Sequence, residues 1–194
     1  QKIKIGKNIK FEAGALDKAW IGNCVATGLS SSFIEPLEAS SIGTSIQQAF
    51  ILMHLIINYN QTDIDLYNKK FKIIVENIRD FVLLHYLTNK RDSKFWKDYK
   101  CNLPESLKHN LKTWKKRLPI KEDFNCEYNL FKSENFSIIL KELNLFDVKL
   151  IKKEFDNLSK KYKNYLYDRI KKQKEWNNKV ETISHKKYIK NAYN

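Results

Sequence analysis

The sequence predicts an α+β fold that is predominantly α-helical, in which short N-terminal strands precede a larger helical region. Residues 2–12 alternate between apolar and polar side chains, as in a β-hairpin, whereas apolar residues recur every three or four positions from Ile42 onwards. With 194 residues, of which 42% are hydrophobic and 13% aromatic, the chain is long enough to bury one sizeable core.

The predicted strands end in a turn rich in glycine and serine. Residues 24–26 form a short apolar run without polar alternation, which is typical of a strand that is covered on both faces. Gly28 and the serines after it interrupt this strand and let the backbone approach another group closely. Pro36 follows, and its fixed φ makes the chain rigid where Glu38 is presented.

A helix is predicted to begin between residues 39 and 44. Its first amide hydrogens have no partner within the helix, and with the helix dipole they suit a small anion. Glu38 would then be an acid or base beside an anion site, although it could also simply charge the first helical turn. The apolar stripe of this helix consists of Ile42, Ile46, Ala49, Phe50, Met53 and Ile57.

Further helices are predicted downstream. Thr62 and Asp65 resemble a capping box, and a helix over residues 104–116 begins at a proline, with residues 117–126 after it as the candidate linker. His85 and His54 are interpreted as core histidines rather than metal ligands, because no second ligand-type residue lies at helical spacing. The stripe that follows the capping box is Tyr67, Phe71, Ile74, Ile78, Phe81 and His85.

The net charge of +14 raises the alternative of a nucleic-acid-binding module. Only four of the 36 basic residues are arginines, whereas specific readers of bases and phosphates favour arginine, so no specific nucleic acid is expected. Lysines spread along helices usually form a solvated face, and the charge by itself predicts only a salt-sensitive attraction to polyanions. In residues 149–180 lysines separate an apolar stripe of Ile151, Phe155, Leu158, Tyr162, Tyr165, Ile170, Trp176 and Val180.

The sequence favours a cytoplasmic protein. No apolar run approaches the roughly eighteen residues that a membrane span needs, and no signal peptide precedes the first strand. Cys24, Cys101 and Cys126 are an odd number without metal-site spacing, which argues against structural disulfides and zinc.

Three ordered blocks resemble the flavin-dependent tryptophan halogenases. Residues 23–42 read N-C-V-A-T-G-L-S-S-S-F-I-E-P-L-E-A-S-S-I, close to the family signature around N-C-V-A-I-G-L-S and E-P-L-E-S-T-G-I. Residues 81–86 read F-V-L-L-H-Y and are followed by R-D and F-W, as in the family. Such ordered blocks are more specific than one short motif. Upstream, Ile5, Gly6, Phe11, Gly14 and Trp20 lie as in the family's last strands before the signature.

The resemblance implies that residues 1–42 form the C-terminal end of a FAD-binding and halide-site region, and residues 43–194 a helical domain that contributes to the substrate pocket. The family's G-x-G-x-x-G and W-x-W-x-I-P motifs and its catalytic lysine lie upstream of the signature and are not found in this sequence. We therefore expect the C-terminal portion of a longer, divergent enzyme, which by itself neither binds flavin tightly nor turns over.

The resemblance also implies a mechanism. Reduced FAD, supplied by a separate flavin reductase, reacts with O2 to give a flavin hydroperoxide, and a halide ion attacks it to form hypohalous acid. Glu38 matches the family's catalytic glutamate, which orients the halogen donor, offsets charge on the arenium intermediate and helps to remove its proton. The backbone amides of Ser40 and Ser41 match the halide site, and Leu29 and Ile42 match contacts to the isoalloxazine ring. No metal is required.

A weaker match concerns the substrate pocket. Glu127 and Phe131 match residues that engage the amino group and the indole of tryptophan, but Lys132 stands where the family has a second aromatic residue. A lysine ammonium supplies no flat apolar wall, so we expect a small electron-rich aromatic substrate of the tryptophan, indole or phenol type rather than free tryptophan specifically. The alternative is that Glu127 lies exposed on an amphipathic helix. A homodimer is one expected assembly.

The signature itself departs from the family at Ala39, Ser40 and Ser41, where the family has Ser-Thr-Gly. If that glycine needs a positive φ, Ser41 would cost about 1 kcal/mol or reshape the loop. A relative that kept the fold but lost halogenation, and acts as a plain flavin monooxygenase or a partner-binding protein, therefore remains an alternative.

Overall fold

The computed structural model describes residues 12–87, 93–96, 102–124, 126–179 and 184–192. Short strands are followed by helices, so the predicted α+β, predominantly helical fold is confirmed. The predicted hairpin lies outside the described residues, apart from its last position. None of the helices that the structure describes is long and apolar enough to cross a membrane.

The strands pair in two small antiparallel ladders. Strand β1 (Gly14–Ala15) pairs with β4 (Ser32–Phe33), and β2 (Trp20–Ile21) pairs with β3 (Cys24–Val25). Cys24 is exposed and Val25 is half-buried, so the prediction of a strand covered on both faces is wrong for the described part of the chain. The reason is that β3 has only the two-residue β2 beside it there.

Four helices of the described residues build the main core. They are α1 (Ser40–Leu55), α2 (Gln61–His85), α3 (Glu105–Trp114) and α4 (Ser133–Glu142). Helix α2 is the central element and packs against the other three. Its predicted inward stripe is confirmed, since Tyr67, Phe71, Ile74, Ile78 and Phe81 are all buried.

The N-terminal cap of α2 differs from the prediction by two residues. The Asn60 side chain accepts a hydrogen bond from the Thr62 amide at 2.7 Å, and Asp63 accepts one from the Asn60 amide at 3.0 Å. The capping box is therefore Asn60 with Asp63, not Thr62 with Asp65. Asparagine and aspartate serve here because both carry a short side-chain oxygen acceptor.

A buried asparagine joins the strands to the central helix. Asn68 in α2 accepts a hydrogen bond from the Trp20 amide at 2.9 Å and donates one to the Trp20 carbonyl at 2.8 Å. Both main-chain groups of a buried residue in β2 are thereby satisfied. Trp20 itself packs edge-on against Tyr67, with 5.5 Å between ring centroids.

Residues 148–194 form a second compact unit. It contains α5 (Val148–Asp156), α6 (Lys160–Lys179) and α7 (His185–Ala192). The predicted helical character of this region is confirmed, but its stripe is largely exposed: Tyr162, Tyr165, Ile170 and Trp176 are 63%, 54%, 52% and 64% exposed. Val180 lies outside the described residues. The functional division at residues 42 and 43 stays a prediction.

The segment after α3 is an ordered turn and not a linker. The Arg117 guanidinium donates to both carboxylate oxygens of Asp123, at 2.8 and 2.5 Å. Asp123 also accepts hydrogen bonds from the Trp114 indole at 2.8 Å and from the Ile120 amide at 3.0 Å. The hydrogen bonds from Arg117 are the main reason why the pKa of Asp123 is lowered from 3.8 to about 2.

The turn around Asp123 predicts a pH-dependent stability. Because the folded-state pKa of Asp123 lies below its ordinary value, its ionised form stabilises the fold above pH ~4, and this contribution is lost as the pH falls towards ~2. We expect Asp123→Asn to lower the free energy of unfolding at neutral pH by about 1–2 kcal/mol, after allowance for solvent screening. Urea unfolding at neutral and acidic pH measures this.

Glu122→Gln, which removes an exposed carboxylate next to Asp123, serves as the control. It should leave both the stability and its acid dependence unchanged. If Asp123→Asn loses stability between pH ~4 and ~2 as steeply as the parent chain, the assignment to Asp123 is wrong.

Candidate functional site

Glu38 lies on a strained turn directly before α1. Glu38 has φ 56° and ψ 25°, and Ala39 has φ 51° and ψ 33°, so two successive non-glycine residues adopt the left-handed conformation. Each such residue costs roughly 1 kcal/mol or more, and surrounding contacts must hold it in place. The Glu38 side chain is exposed, and α1 begins at Ser40, as the sequence predicted.

The sequence predicted backbone strain at Ser41 if the glycine that it replaces in the family needs a positive φ. Ser41 has no positive φ in the structure. Ser41 lies inside the first turn of α1, and the positive φ values belong to Glu38 and Ala39. The substitution of glycine by serine therefore costs no backbone strain at this position. The left-handed turn begins three residues earlier, at Glu38.

Two hydrogen bonds to Glu35 hold the strained turn, and we call this pair of bonds the bracket. The Tyr86 hydroxyl donates to the Glu35 carboxylate at 2.5 Å, and the Ser40 hydroxyl donates to the Glu35 carbonyl at 2.9 Å. The hydrogen bond to Glu35 is the main reason why the pKa of Tyr86 is raised, and burial and the negative charge add to it. Since Tyr86 follows the last residue of α2, the end of the central helix fixes the position of the Glu38 turn.

The first turn of α1 contains the two predicted halide donors. The Ser40 amide donates to the Leu37 carbonyl, so an anion at Ser40 would share that amide. The hydroxyls of Thr44 and Ser45 donate to the carbonyls of Ser40 and Ser41 at 2.8 and 2.9 Å. These bonds hold the backbone of the turn, and the role of its amides in halide binding stays a prediction.

Gln48 ties the glycine-serine turn to α1. It is 0% exposed, and its side-chain oxygen accepts hydrogen bonds from the Gly28 amide at 2.9 Å and the Ser31 hydroxyl at 3.2 Å. A Cβ at Gly28, which has φ 59°, would lie 2.7 Å from the Ser45 hydroxyl oxygen. The predicted close approach at Gly28 is thus confirmed. The Gln48 amide nitrogen also lies 3.3 Å from the Tyr67 hydroxyl oxygen, to which it donates.

Leu29 and Ile42 lie in the two elements that Gln48 joins, the glycine-serine turn and α1. Leu29 is 65% exposed in the short 3-10 turn over Gly28–Ser30, and Ile42 is 67% exposed in the first turn of α1. Both side chains are therefore open to a flat apolar group. Their predicted contact with an isoalloxazine ring stays a prediction.

The segment around Phe131 packs against the start of α1. A Cβ at Gly43 would lie 2.7 Å from both methyl carbons of Leu130, so the absence of a side chain allows this close contact. Asn77 fixes the next residue, because it exchanges hydrogen bonds of 3.0 Å with both the amide and the carbonyl of Phe131. Phe131 is 6% exposed and stacks on Phe81, with 3.8 Å between centroids.

A cavity of about 540 Å³ opens beside this segment. Glu127 lines it together with Lys132, the residue that replaces an aromatic side chain of the family. Glu127 is exposed, but it lies in a turn before α4 and not on a helix. The charged walls suit a polar group of a substrate better than a flat apolar ring. The remaining lining residues are Lys121, Glu122, Phe124, Cys126, Ser133 and Glu134.

The two histidines of the helices differ. His85 Nδ1 lies 2.8 Å from the Phe81 carbonyl oxygen and its ring packs edge-on against Phe81, so its prediction as a hydrogen-bonded histidine of the core face is confirmed. His54 is exposed, so its placement in the core is wrong. No group of three or more His, Cys, Asp or Glu residues in the described part of the chain could hold a metal ion.

The site residues and their order along the chain agree with a known family. The family model described as tryptophan halogenase matches residues 1–153. The chain belongs to the tryptophan halogenase family. It is 31% identical over 144 residues to the 7-chloro-L-tryptophan 6-halogenase of Kutzneria sp. (strain 744), covering 69% of this chain and 27% of that protein.

Two further comparisons agree. The tryptophan 6-halogenase of Streptomyces toxytricini is also 31% identical over 144 residues, covering 69% of this chain and 26% of that protein. The structure of a flavin-dependent halogenase from Brevundimonas sp. BAL3 superposes with a TM-score of 0.68 at 28% identity, over 85% of this chain and 34% of that one. This chain therefore spans about a quarter of the length of the curated relatives it matches.

In this member of the tryptophan halogenase family, one turn brings together Glu38, Ser40, Ser41 and Ile42, and Gln48 attaches the turn that carries Leu29. Sequence reasoning missed Gln48, the Glu35–Tyr86 pair and Asn77. For Gln48 a signal was present, because Ser40, Thr44 and Gln48 form a polar stripe at four-residue spacing. The Glu35–Tyr86 and Asn77–Phe131 pairs are about fifty residues apart in sequence and leave no local pattern.

The bracket around Glu38 predicts coupled stabilities. We expect Tyr86→Phe and Glu35→Ala each to lower the free energy of unfolding by about 1–2 kcal/mol, and the double variant to lose little more than either single one. Glu35→Gln keeps an oxygen acceptor for the Tyr86 hydroxyl and should retain most of the stability. Urea unfolding of the four variants measures the coupling.

Tyr59→Phe is the matched control for the loss of a tyrosine hydroxyl, because the Tyr59 ring packs against Trp20 at 5.0 Å and lies outside the bracket. It should be close to neutral. Strictly additive losses for Tyr86→Phe and Glu35→Ala would show that the two residues do not act as a pair.

Proposed function

We propose that this chain is part of a flavin-dependent halogenase that halogenates a small electron-rich aromatic compound, with Glu38 as its catalytic carboxylate. The observation that carries the proposal is the exposed Glu38 on a strained turn, bracketed by the bonds to Glu35, directly before the start of α1. A strained turn that surrounding bonds hold in place is typical of functional sites. Relatives that are 31% identical over 144 residues are named as tryptophan halogenases.

The proposed role of Glu38 follows from its fixed position. A carboxylate held at a defined place can accept a hydrogen bond from the halogen donor and orient it towards the ring. It can also stabilise positive charge on the arenium ion of the substrate and accept the proton that leaves the ring. The bracket holds the backbone of the turn, so the backbone need not rearrange when charge develops near Glu38.

The described residues fit one wall of a flavin site. Leu29 and Ile42 present exposed apolar side chains on either side of the Gln48 connection, which suits contact with an isoalloxazine ring. The sequence contains no glycine-rich loop for a pyrophosphate, so we propose that most of the flavin site lies in other parts of the family fold. Bound reduced FAD would, with O2, supply the oxidation of the halide.

We assign the halide to the start of α1. The backbone amides of Ser40 and Ser41 lie there, at the positive end of the helix dipole. The Ser40 amide also donates to the Leu37 carbonyl, so an anion would share it. Both serines lie within three residues of Glu38. Main-chain donors bind an anion whatever the side chains are, so Ala39, Ser40 and Ser41 are compatible with the family's halide site.

We assign the substrate to the cavity next to the Phe131 segment. Glu127 and Lys132 line a cavity of about 540 Å³ and would engage polar groups of the substrate. Phe131 would support this wall from beneath, since it is buried against Phe81. The family resemblance also implies a separate flavin reductase. A cytoplasmic location and a homodimer complete the proposal.

Glu38→Gln tests the proposal in the full-length protein. The substitution keeps the size of the side chain and removes the charge and the proton acceptor, so we expect halogenated product to fall by about 10²–10⁴-fold. Flavin oxidation and peroxide release should continue. Product is measured by mass spectrometry with a supplied flavin reductase and an indole or phenol substrate.

Glu142→Gln, an exposed carboxylate on α4, is the control and should leave product formation unchanged. Undiminished product from Glu38→Gln would remove Glu38 from catalysis. Flavin oxidation without any halogenated product in the parent protein would favour a non-halogenating flavin monooxygenase.

A further inference from the structure

Lys132 lies at a fixed point on the wall of the cavity beside the Phe131 segment. Its backbone amide donates a hydrogen bond to the Asn135 side chain at 2.9 Å, and its carbonyl accepts one from the Phe136 amide at 3.2 Å. The residue before it, Phe131, is held at both main-chain groups by Asn77. The backbone that carries the Lys132 side chain at the cavity is therefore held on both sides.

This position is an unusual one for a lysine. Lys132 is the N-cap residue of α4, where serine, threonine, asparagine and aspartate are preferred because their short side chains accept hydrogen bonds from the first amides. A lysine ammonium can only donate, and a positive charge is unfavourable near the positive end of a helix dipole. The start of α4 therefore gives no structural reason for a lysine at this position.

The charge of Lys132 is available to a ligand. Among the described residues, no carboxylate forms an ion pair with it, although Glu127 and Glu134 line the same cavity. The pKa of Glu134 is lowered mainly by a hydrogen bond from its own backbone amide and by one from the Ser133 hydroxyl, at 3.0 Å, and the charge of Lys132 adds less. The Glu134 carboxylate thus caps α4 and does not neutralise Lys132 by direct contact.

We infer that Lys132 is a specificity-determining residue that selects an aromatic substrate with an acid group, such as a carboxylate, that is ionised at neutral pH. An ammonium binds a carboxylate by a charge-assisted hydrogen bond, which is about twice as strong as a hydrogen bond between neutral groups. An aromatic residue at this position, as in the family, would instead favour a flat uncharged ring. The inference rests on the proposed function, because it names the substrate class of the same cavity.

The carboxylates of the cavity limit where the acid group of the substrate can lie. It is attracted by Lys132 and by Lys121, which also lines the cavity, and Lys132 is the one that directly follows the fixed Phe131. The acid group is repelled by the three glutamates of the lining, Glu122, Glu127 and Glu134. Charges of both signs therefore orient the substrate as well as select it, with its acid group at Lys132.

Two compounds of the same shape and different charge test the inference in the full-length protein with a supplied flavin reductase. They are indole-3-propionic acid, which is anionic at neutral pH, and its neutral amide, indole-3-propionamide. We expect the parent protein to have a KM about tenfold lower for the acid than for the amide. Lys132→Gln should raise the KM for the acid about tenfold, with kcat and the KM for the amide unchanged. Lys132→Arg, which keeps the charge, should retain the preference for the acid.

Lys141→Gln is the matched control, because it removes one lysine charge from an exposed position of the same helix, and it should leave both KM values unchanged. Lys132 is exposed, so its substitution should leave the fold intact, which circular dichroism checks. Equal KM values for the acid and the amide in the parent protein would overturn the inference. So would an unchanged KM for the acid in Lys132→Gln.

Calorimetric titration of the same two compounds into the full-length protein needs no turnover, so it separates the inference from the proposed function. Tighter binding of the acid by the parent protein but not by Lys132→Gln, without any halogenated product, would retain the role of Lys132 and reject the halogenase proposal. Halogenated product from both compounds with equal KM values would do the reverse.

Discussion

The candidate site depends on the hydrogen bonds of the buried Gln48 side-chain amide. A fully buried side-chain amide must have its polar atoms satisfied, because an unpaired one costs about 1–3 kcal/mol. Gln48 meets this need with the Gly28 amide, the Ser31 hydroxyl and the Tyr67 hydroxyl. These bonds fix the rotation of α1 about its own axis. They therefore turn its polar stripe inward, beside the buried Ile51, and leave Ile42, Ile46, Phe50 and Met53 exposed.

The rotation of α1 has a direct consequence for the chemistry proposed here. With Ser40, Thr44 and Gln48 inside, the first turn of the helix presents Ile42 outward, directly after the two serines of the proposed halide site. The two residues before the helix, Glu38 and Ala39, both adopt the left-handed conformation. The Glu35–Tyr86 bond offsets part of this strain, so the residue after the end of the central helix α2 helps to position the turn that carries Glu38.

Much of the fold could be predicted from the sequence because the patterns that indicate it are local. The inward stripe of α2 repeats every three or four residues, and Gly28 and Pro36 restrict the backbone whatever surrounds them. The wrong predictions share one cause. The exposure of Cys24 and of His54 depends on which neighbours are present, and the ordered turn in the region predicted as a linker depends on the ion pair between Asp123 and Arg117. Periodicity identifies a face but not what covers it.

The sequence by itself determined the family, the order of strands and helices, and the residues that form the turn around Glu38, because these are properties of motifs and spacing. Only the tertiary structure decided that Gln48 faces inward, that Tyr86 holds Glu35, and that Asn77 fixes the backbone of Phe131. Each of these contacts joins residues distant in the chain. Their partners are chosen by the burial of polar groups, which no local pattern records.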